Sequence, residues 1–155
     1  MYPAANIPVV QVSLHASLNS AQNMAIGKAL APLRDDNILI LGSGYTFHNM
    51  EAFFNPSKET VNGSKDFNVW LKSVILPPDD SKGDATSLYK QRMKELQNWD
   101  KAPGARISHP REEHLLPLFM VAAAAGENAT PQLIYDTTVA FDQAVGQSDH
   151  AVTGL

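Results

Sequence analysis

The chain has 155 residues, 44% hydrophobic and 18% charged, with a formal charge of -4 and no cysteine. That length and balance describe one globular domain with its own core rather than a disordered segment. The mild acidity argues against nucleic acid or an anionic membrane as the main partner, and without thiols a metal could be held only by His, Asp, Glu or backbone oxygen.

In chain order, residues 7–14 (IPVVQVSL) are rich in β-branched side chains and bounded by Pro8, which predicts a strand. Residues 19–36 carry Met24, Ala25, Leu30 and Leu33 at helical spacing, with Ser20 as the expected N-cap and Pro32 disturbing the last turn. Residues 37–44 (NILILGSG) form a short apolar run ending in glycines, the pattern of a buried strand. Strand, helix and strand in this order predict a βαβ unit with neighbouring strands.

Residues 51–64 read as polar and turn-rich. Residues 65–76 present Phe67, Trp70, Leu71, Val74 and Ile75 on one helical face. A loop is expected over 77–84, a largely solvent-facing helix over 85–99 and a connector over 101–108. A further helix is expected from Pro110, capped near Gly126. Residues 131–141 predict a last strand, and the tail shows no period. No basic region precedes an apolar one at the N-terminus, and the run HLLPLFMVAAAAG is too short to span a bilayer, so a cytoplasmic protein is expected.

Two stretches carry chemistry. In LGSGYTFHNM (41–50), glycines after a strand allow a sharp turn and close approach of backbone to a ligand, and His48 follows a few residues on. The stretch lacks the third glycine and the acid of a dinucleotide fingerprint. In RISHPREEHLLPLFM (106–120), Pro110, Glu112 and Glu113 suit a helix start, which leaves the two histidines unexplained. His109 and His114 are five apart, so an ideal helix does not aim both at one metal. His114 is the better ligand candidate, and His109 is expected at the helix start, more exposed than His114. His15 and His150 are weaker candidates, and Ser13, Ser43 and Asp136 lack the nucleophile-elbow context of a hydrolase triad.

These segments together resemble the class III extradiol ring-cleavage dioxygenases of the DOPA 4,5-dioxygenase type. MYPAANIPVVQVSL is similar to the family's Met-Tyr-Pro-x-Ala-x-Ile-Pro-Val-x-Gln-x-Ser. GKALAPLRDDNILILGSGYTFHNM resembles its helix, strand and Gly-Ser-Gly-x3-His-Asn. KAPGARISHPREEHLLPLFMVAAAAGEN resembles its His-Pro-x-x-(Asp/Glu)-His-x-x-Pro-Leu and following helix.

The resemblance implies an α/β fold with a central mixed or mostly parallel sheet flanked by helices. It also implies a mononuclear Fe(II), or Zn(II) as purified, and a catecholic substrate opened by O₂ beside its two hydroxyls. His48 aligns with a residue that is an acid/base in some members and a metal-site residue in others. His114 aligns with a metal-site histidine, and Glu113 is a competing carboxylate ligand. His109, Glu113 and Ser43 are candidates for contacting substrate or orienting a ligand.

The family's Gly-His-Gly, Ser-x-His-Trp and Asp-His-Gly-x-Trp motifs do not occur here. Residues 1–155 therefore resemble the C-terminal half of one such domain, expected to be weakly active alone and to associate with a complementary N-terminal half or a second copy. The alternatives are a non-catalytic binding protein that keeps the half-fold, and another metal-dependent enzyme built on His48 and His114.

Overall fold

A computed structural model describes residues 3–76, 84–139 and 148–152. Helix α1 spans Ser20–Leu30 and is capped by Asn19, whose side chain accepts from the Gln22 amide at 3.1 Å. The expected cap, Ser20, is instead the first helical residue. Pro32 lies in the 3₁₀ turn Ala31–Arg34 that ends the helix, because proline offers no N–H to continue the ladder.

Helix α2 (Met50–Phe54) follows, and α3 runs over Lys58–Ile75. The turn-rich reading of 51–64 is thus corrected: Ser57 and Thr60 form a reciprocal capping box that starts α3 well before its apolar stripe begins. Helix α4 (Ala85–Gln97) is capped by Asp84, whose carboxyl is held below its usual pKa by hydrogen bonds from Ser87. The expected connector contains a 3₁₀ turn, Trp99–Lys101, and the short helix α5 (Ala105–Ser108). Helix α6 covers Leu116–Ala125 and stops at Gly126 with φ 76°. It starts six residues after Pro110, and Pro117 rather than Pro110 occupies its first turn.

Helix α6 is the centre of the fold. Its sequence LPLFMVAAAA has no polar stripe, and a helix apolar on every side is stable only when covered on every side. Helix α1 packs along it. A side chain at Gly27 would collide with the Met120 carbonyl, so only glycine permits this approach. Phe67, Leu71 and Ile75 form one stripe of α3 at i, i+4 and i+8 and join Leu116, Phe119 and Ala123 in the core. Helix α4 adds Leu96, which is fully buried, and Trp99 follows it inward, so the helix expected to face solvent in fact buries one side.

The strands differ most from expectation. Strands β1 (Tyr135–Val139) and β2 (Ser148–Val152) pair antiparallel, with Thr137 opposite His150. Strand β1 falls within the predicted 131–141, of which 140 and 141 lie outside the described residues, as does most of the predicted 77–84 loop.

Among the described residues the predicted βαβ unit is not seen. Segments 7–14 and 37–42 hold no strand and join no ladder, and among the described residues the sheet consists of β1 and β2 alone. The described residues therefore do not show the central mixed or mostly parallel sheet. The reason is visible in the exposure of the apolar side chains: Val9 is 90% and Leu39 68% exposed. Residue propensity favours an extended backbone, but a strand also requires a neighbour for its N–H and C=O groups. No helix among the described residues is long and apolar enough to cross a membrane.

Candidate functional site

The glycine-rich turn is fixed against the start of α6. The Tyr45 amide donates to the His114 carbonyl at 2.8 Å. A Cβ at Gly44 would strike that same carbonyl, so the turn needs glycine for the approach itself. Three residues on, the His48 amide donates to the Ser108 carbonyl at 2.9 Å. Asn49 completes the link: its side-chain amide donates to the Ile107 carbonyl at 2.8 Å, while its Oδ1 accepts from the Ala52 amide at 3.0 Å and caps α2. Two segments distant in sequence are thus joined by backbone and amide bonds.

The result is a pair of stacked imidazoles. The rings of His48 and His114 have centroids 3.5 Å apart and planes inclined by 16°. Tyr45 lies beside both, at 6.2 Å from each ring. Burial, reinforced by the neighbouring His48, lowers the pKa of His114, and Glu113 opposes this. Two protonated rings could not stack at this distance without strong repulsion. The buried Nδ1 of His114 has no hydrogen-bond partner.

His109 contradicts its expected exposure. It is fully buried (0%), with its ring against the edges of Phe67 and Trp99 at centroid distances of 5.5 Å and 6.1 Å. Neither ring nitrogen meets a partner at full hydrogen-bond geometry. The Thr46 backbone favours the protonated ring slightly, but burial dominates and lowers the pKa to about 4. The reason for the error is local: α6 begins at Leu116, so His109 closes α5 and turns into the core instead of opening a helix at the surface.

The acids are engaged elsewhere. Glu112 pairs with Arg106 at 2.7 Å and Glu113 with Arg111 at 3.2 Å. The second carboxylate oxygen of Glu113 is buried without a partner. Ser43 is exposed, and Ser13 is exposed in segment 7–14. His15 bonds Ser17 at the surface, away from the stacked pair. The side chains of Asp136 and His150 lie outside the described residues. Sequence reasoning did not single out Tyr45 or the bridging role of Asn49. Asn49 was visible only as the residue after His48 in the motif.

A mononuclear metal needs about three protein ligands with converging lone pairs. Among the described residues no group of three His, Cys, Asp or Glu side chains is placed to hold one. Face-to-face stacking also directs the two imidazole edges side by side instead of toward a common point. The residues described here do not by themselves fit a complete metal site.

Residues 1–146 match the family described as the catalytic LigB subunit of aromatic ring-opening dioxygenase. Among curated proteins, the chain is 35% identical over 136 residues to a 4,5-DOPA dioxygenase extradiol of Mirabilis jalapa, covering 87% of this chain and 46% of that protein. It is 33% identical over 138 residues to the protein of the same name from Beta vulgaris, covering 88% and 47%. The Escherichia coli (strain K12) protein of that name is 30% identical over 125 residues, covering 80% and 42%. The chain therefore spans less than half the length of these relatives.

Proposed function

Since the chain belongs to the LigB family of aromatic ring-opening dioxygenases, we propose that it contributes the His48–His114 side of an extradiol dioxygenase site acting on a catechol, DOPA-like substrate with O₂. The observation that carries this reading is the stacking of His48 on His114. The two histidines come from the two motifs that resemble the family's site segments, and the fold brings them into contact.

In this reading His48 is the base. A neutral imidazole can accept the proton of a catechol hydroxyl. His114, kept neutral by burial, is available as a ligand for Fe(II) or Zn(II). Glu113 is the competing carboxylate, and its unpartnered buried oxygen supports that role. Tyr45 flanks both rings and is the nearest aromatic surface for a catechol. His109 is buried against Phe67 and Trp99 and acts as packing, and Ser43 is exposed.

The remaining ligands come from a complementary polypeptide, related to the part of the curated relatives that this chain does not match, or from a second copy. The exposed apolar segments around Val9, Val10, Leu39 and Leu41 support such a partner, since exposed apolar faces favour association. The 155-residue chain alone is expected to retain iron poorly and to turn over catechols slowly.

The test is a ring-fission assay on the Fe(II)-treated chain, with and without the complementary polypeptide, following the yellow product. Product that requires the added polypeptide supports the proposal. Robust turnover with stoichiometric iron by the chain alone sinks the shared-site part of it. No turnover in either case, with the partner bound, favours a non-catalytic binding role, which the lack of a third ligand among the described residues supports.

A further inference from the structure

Away from the histidines, a cleft of about 680 Å³ lies between the C-terminal half of α6 and the non-helical segments 37–40 and 128–134. That volume falls within the roughly 300–1,000 Å³ of small-molecule pockets. Ile38, Ile40, Ile75 and Val121 supply apolar walls, and none of His48, His109 or His114 lines it.

Among the described residues the charges on this lining are of one sign: Arg34 and Arg92 are the two charged ones, and the polar remainder is neutral, from side chains such as Asn128, Thr130 and Gln132. Arg34 is held in place by Nη1, which donates to the Ala124 and Ala125 carbonyls at the end of α6. A guanidinium has five N–H donors, so these bonds leave it able to recognise an anion. Arg92 is only 9% exposed, and its one hydrogen bond here runs from Nε to the Val74 carbonyl at 3.3 Å. Among the described residues no carboxylate pairs with it. Burying a cation without a counter-charge is costly, and burial lowers the pKa of Arg92 accordingly.

We propose that this cleft binds a small organic carboxylate with an apolar body, the carboxylate meeting the Arg92 guanidinium and the body lying against Ile38, Ile75 and Val121. Arginine matches a planar carboxylate with two parallel N–H donors. The apolar walls favour a monoanion carrying a ring or short alkyl chain over a strongly hydrated phosphate or sulfate. The site uses none of the histidines of the dioxygenase reading, although Leu39 belongs both to this lining and to the exposed apolar segments assigned above to a partner.

The full chain, with isoleucine methyls labelled for NMR, is titrated with 3-phenylpropionate, with its neutral counterpart 3-phenylpropan-1-ol, and with sulfate. The proposal expects saturable shifts at Ile38, Ile40 and Ile75 with the acid, and binding at least tenfold weaker for the alcohol and for sulfate. Arg92→Met, with a melting temperature measured alongside, is expected to lose the acid's advantage over the alcohol. If that variant does not fold, the comparison of acid with alcohol on the unaltered protein decides alone. Equal binding of acid and alcohol, or no saturable shift, overturns the proposal. So do shifts at Ile38 and Ile75 that follow protein concentration without ligand, since a second copy would then fill the cleft.

Discussion

The imidazoles of His48 and His114 stack face to face with their centroids 3.5 Å apart, although they belong to a loop and to the turn before α6. Neither residue is placed by its own secondary structure. Each is placed by a backbone bond to the other's neighbourhood: Tyr45 to the His114 carbonyl, and His48 to the Ser108 carbonyl. The pair therefore depends on a short hydrogen-bonded seam, and its chemistry can be disturbed from several positions.

The two histidines should separate by role. With the complementary polypeptide present, His114→Ala is expected to abolish iron retention. His48→Ala should keep the metal and lose turnover by roughly 10²–10⁴-fold, the usual contribution of a general base. Iron content by metal analysis, measured beside the rate, distinguishes the two. Loss of metal in His48→Ala would make His48 a ligand.

Gly44→Ala should be destabilising and should open the pair. The added methyl group meets the His114 carbonyl, which is backbone and cannot swing aside. Overpacking of this kind costs about 1–3 kcal/mol. A lower urea midpoint is expected, together with changed chemical shifts for the His48 and His114 ring protons.

Asn49→Ala removes both the amide bond to the Ile107 carbonyl and the cap of α2. A lost cap alone costs about 0.5–2 kcal/mol. The measurable consequence at the site is greater mobility of His48, seen as line broadening of its ring signals. Asn49→Asp keeps the cap but not the donated bond, and should restore stability more than it restores the ordered ring.

Acid should unfold this protein through His109. Its folded pKa of about 4 lies below the ordinary value of 6.5, so the unfolded chain binds more protons between those limits. The associated stability is fully present above pH 6.5 and is lost as the pH falls toward 4. The loss is on the order of 2–3 kcal/mol near pH 4.5, and the lowered pKa of His114 acts in the same direction. Urea midpoints at pH 7.5 and 4.5 measure it. His109→Gln, which cannot titrate, should show a smaller difference between the two. An unchanged difference would mean that His109 is not the acid-sensitive group.

Phe119→Ala tests the centre of the core. Phe119 is fully buried on α6, with its ring 6.4 Å from that of Trp99. The expected loss is about 3–5 kcal/mol, a large part of the stability of a domain this size. A thermal melt should show either a strongly lowered midpoint or no cooperative transition.

What the sequence determined by itself is local or carried in motifs. The stripe of Phe67, Leu71 and Ile75 and the Gly126 stop are readable because helical spacing and left-handed glycine act within a few residues. The two histidine motifs were readable through their resemblance to a family, and the family match covers residues 1–146. Tertiary structure decided the rest. The residues of 7–14 and 37–42 favour extended backbone, but pairing is a relation between segments, and the described residues supply them no partner. His109 reads as a surface helix start until α6 is found to begin at Leu116, which turns its ring into a wall of Phe67 and Trp99. Arg92 reads as one more charge on a solvated helix, and only the packing of α4 buries it beside a cleft that, among the described residues, is lined by no acid. Burial and proximity depend on residues far apart in the chain, and no spacing within a single element records them.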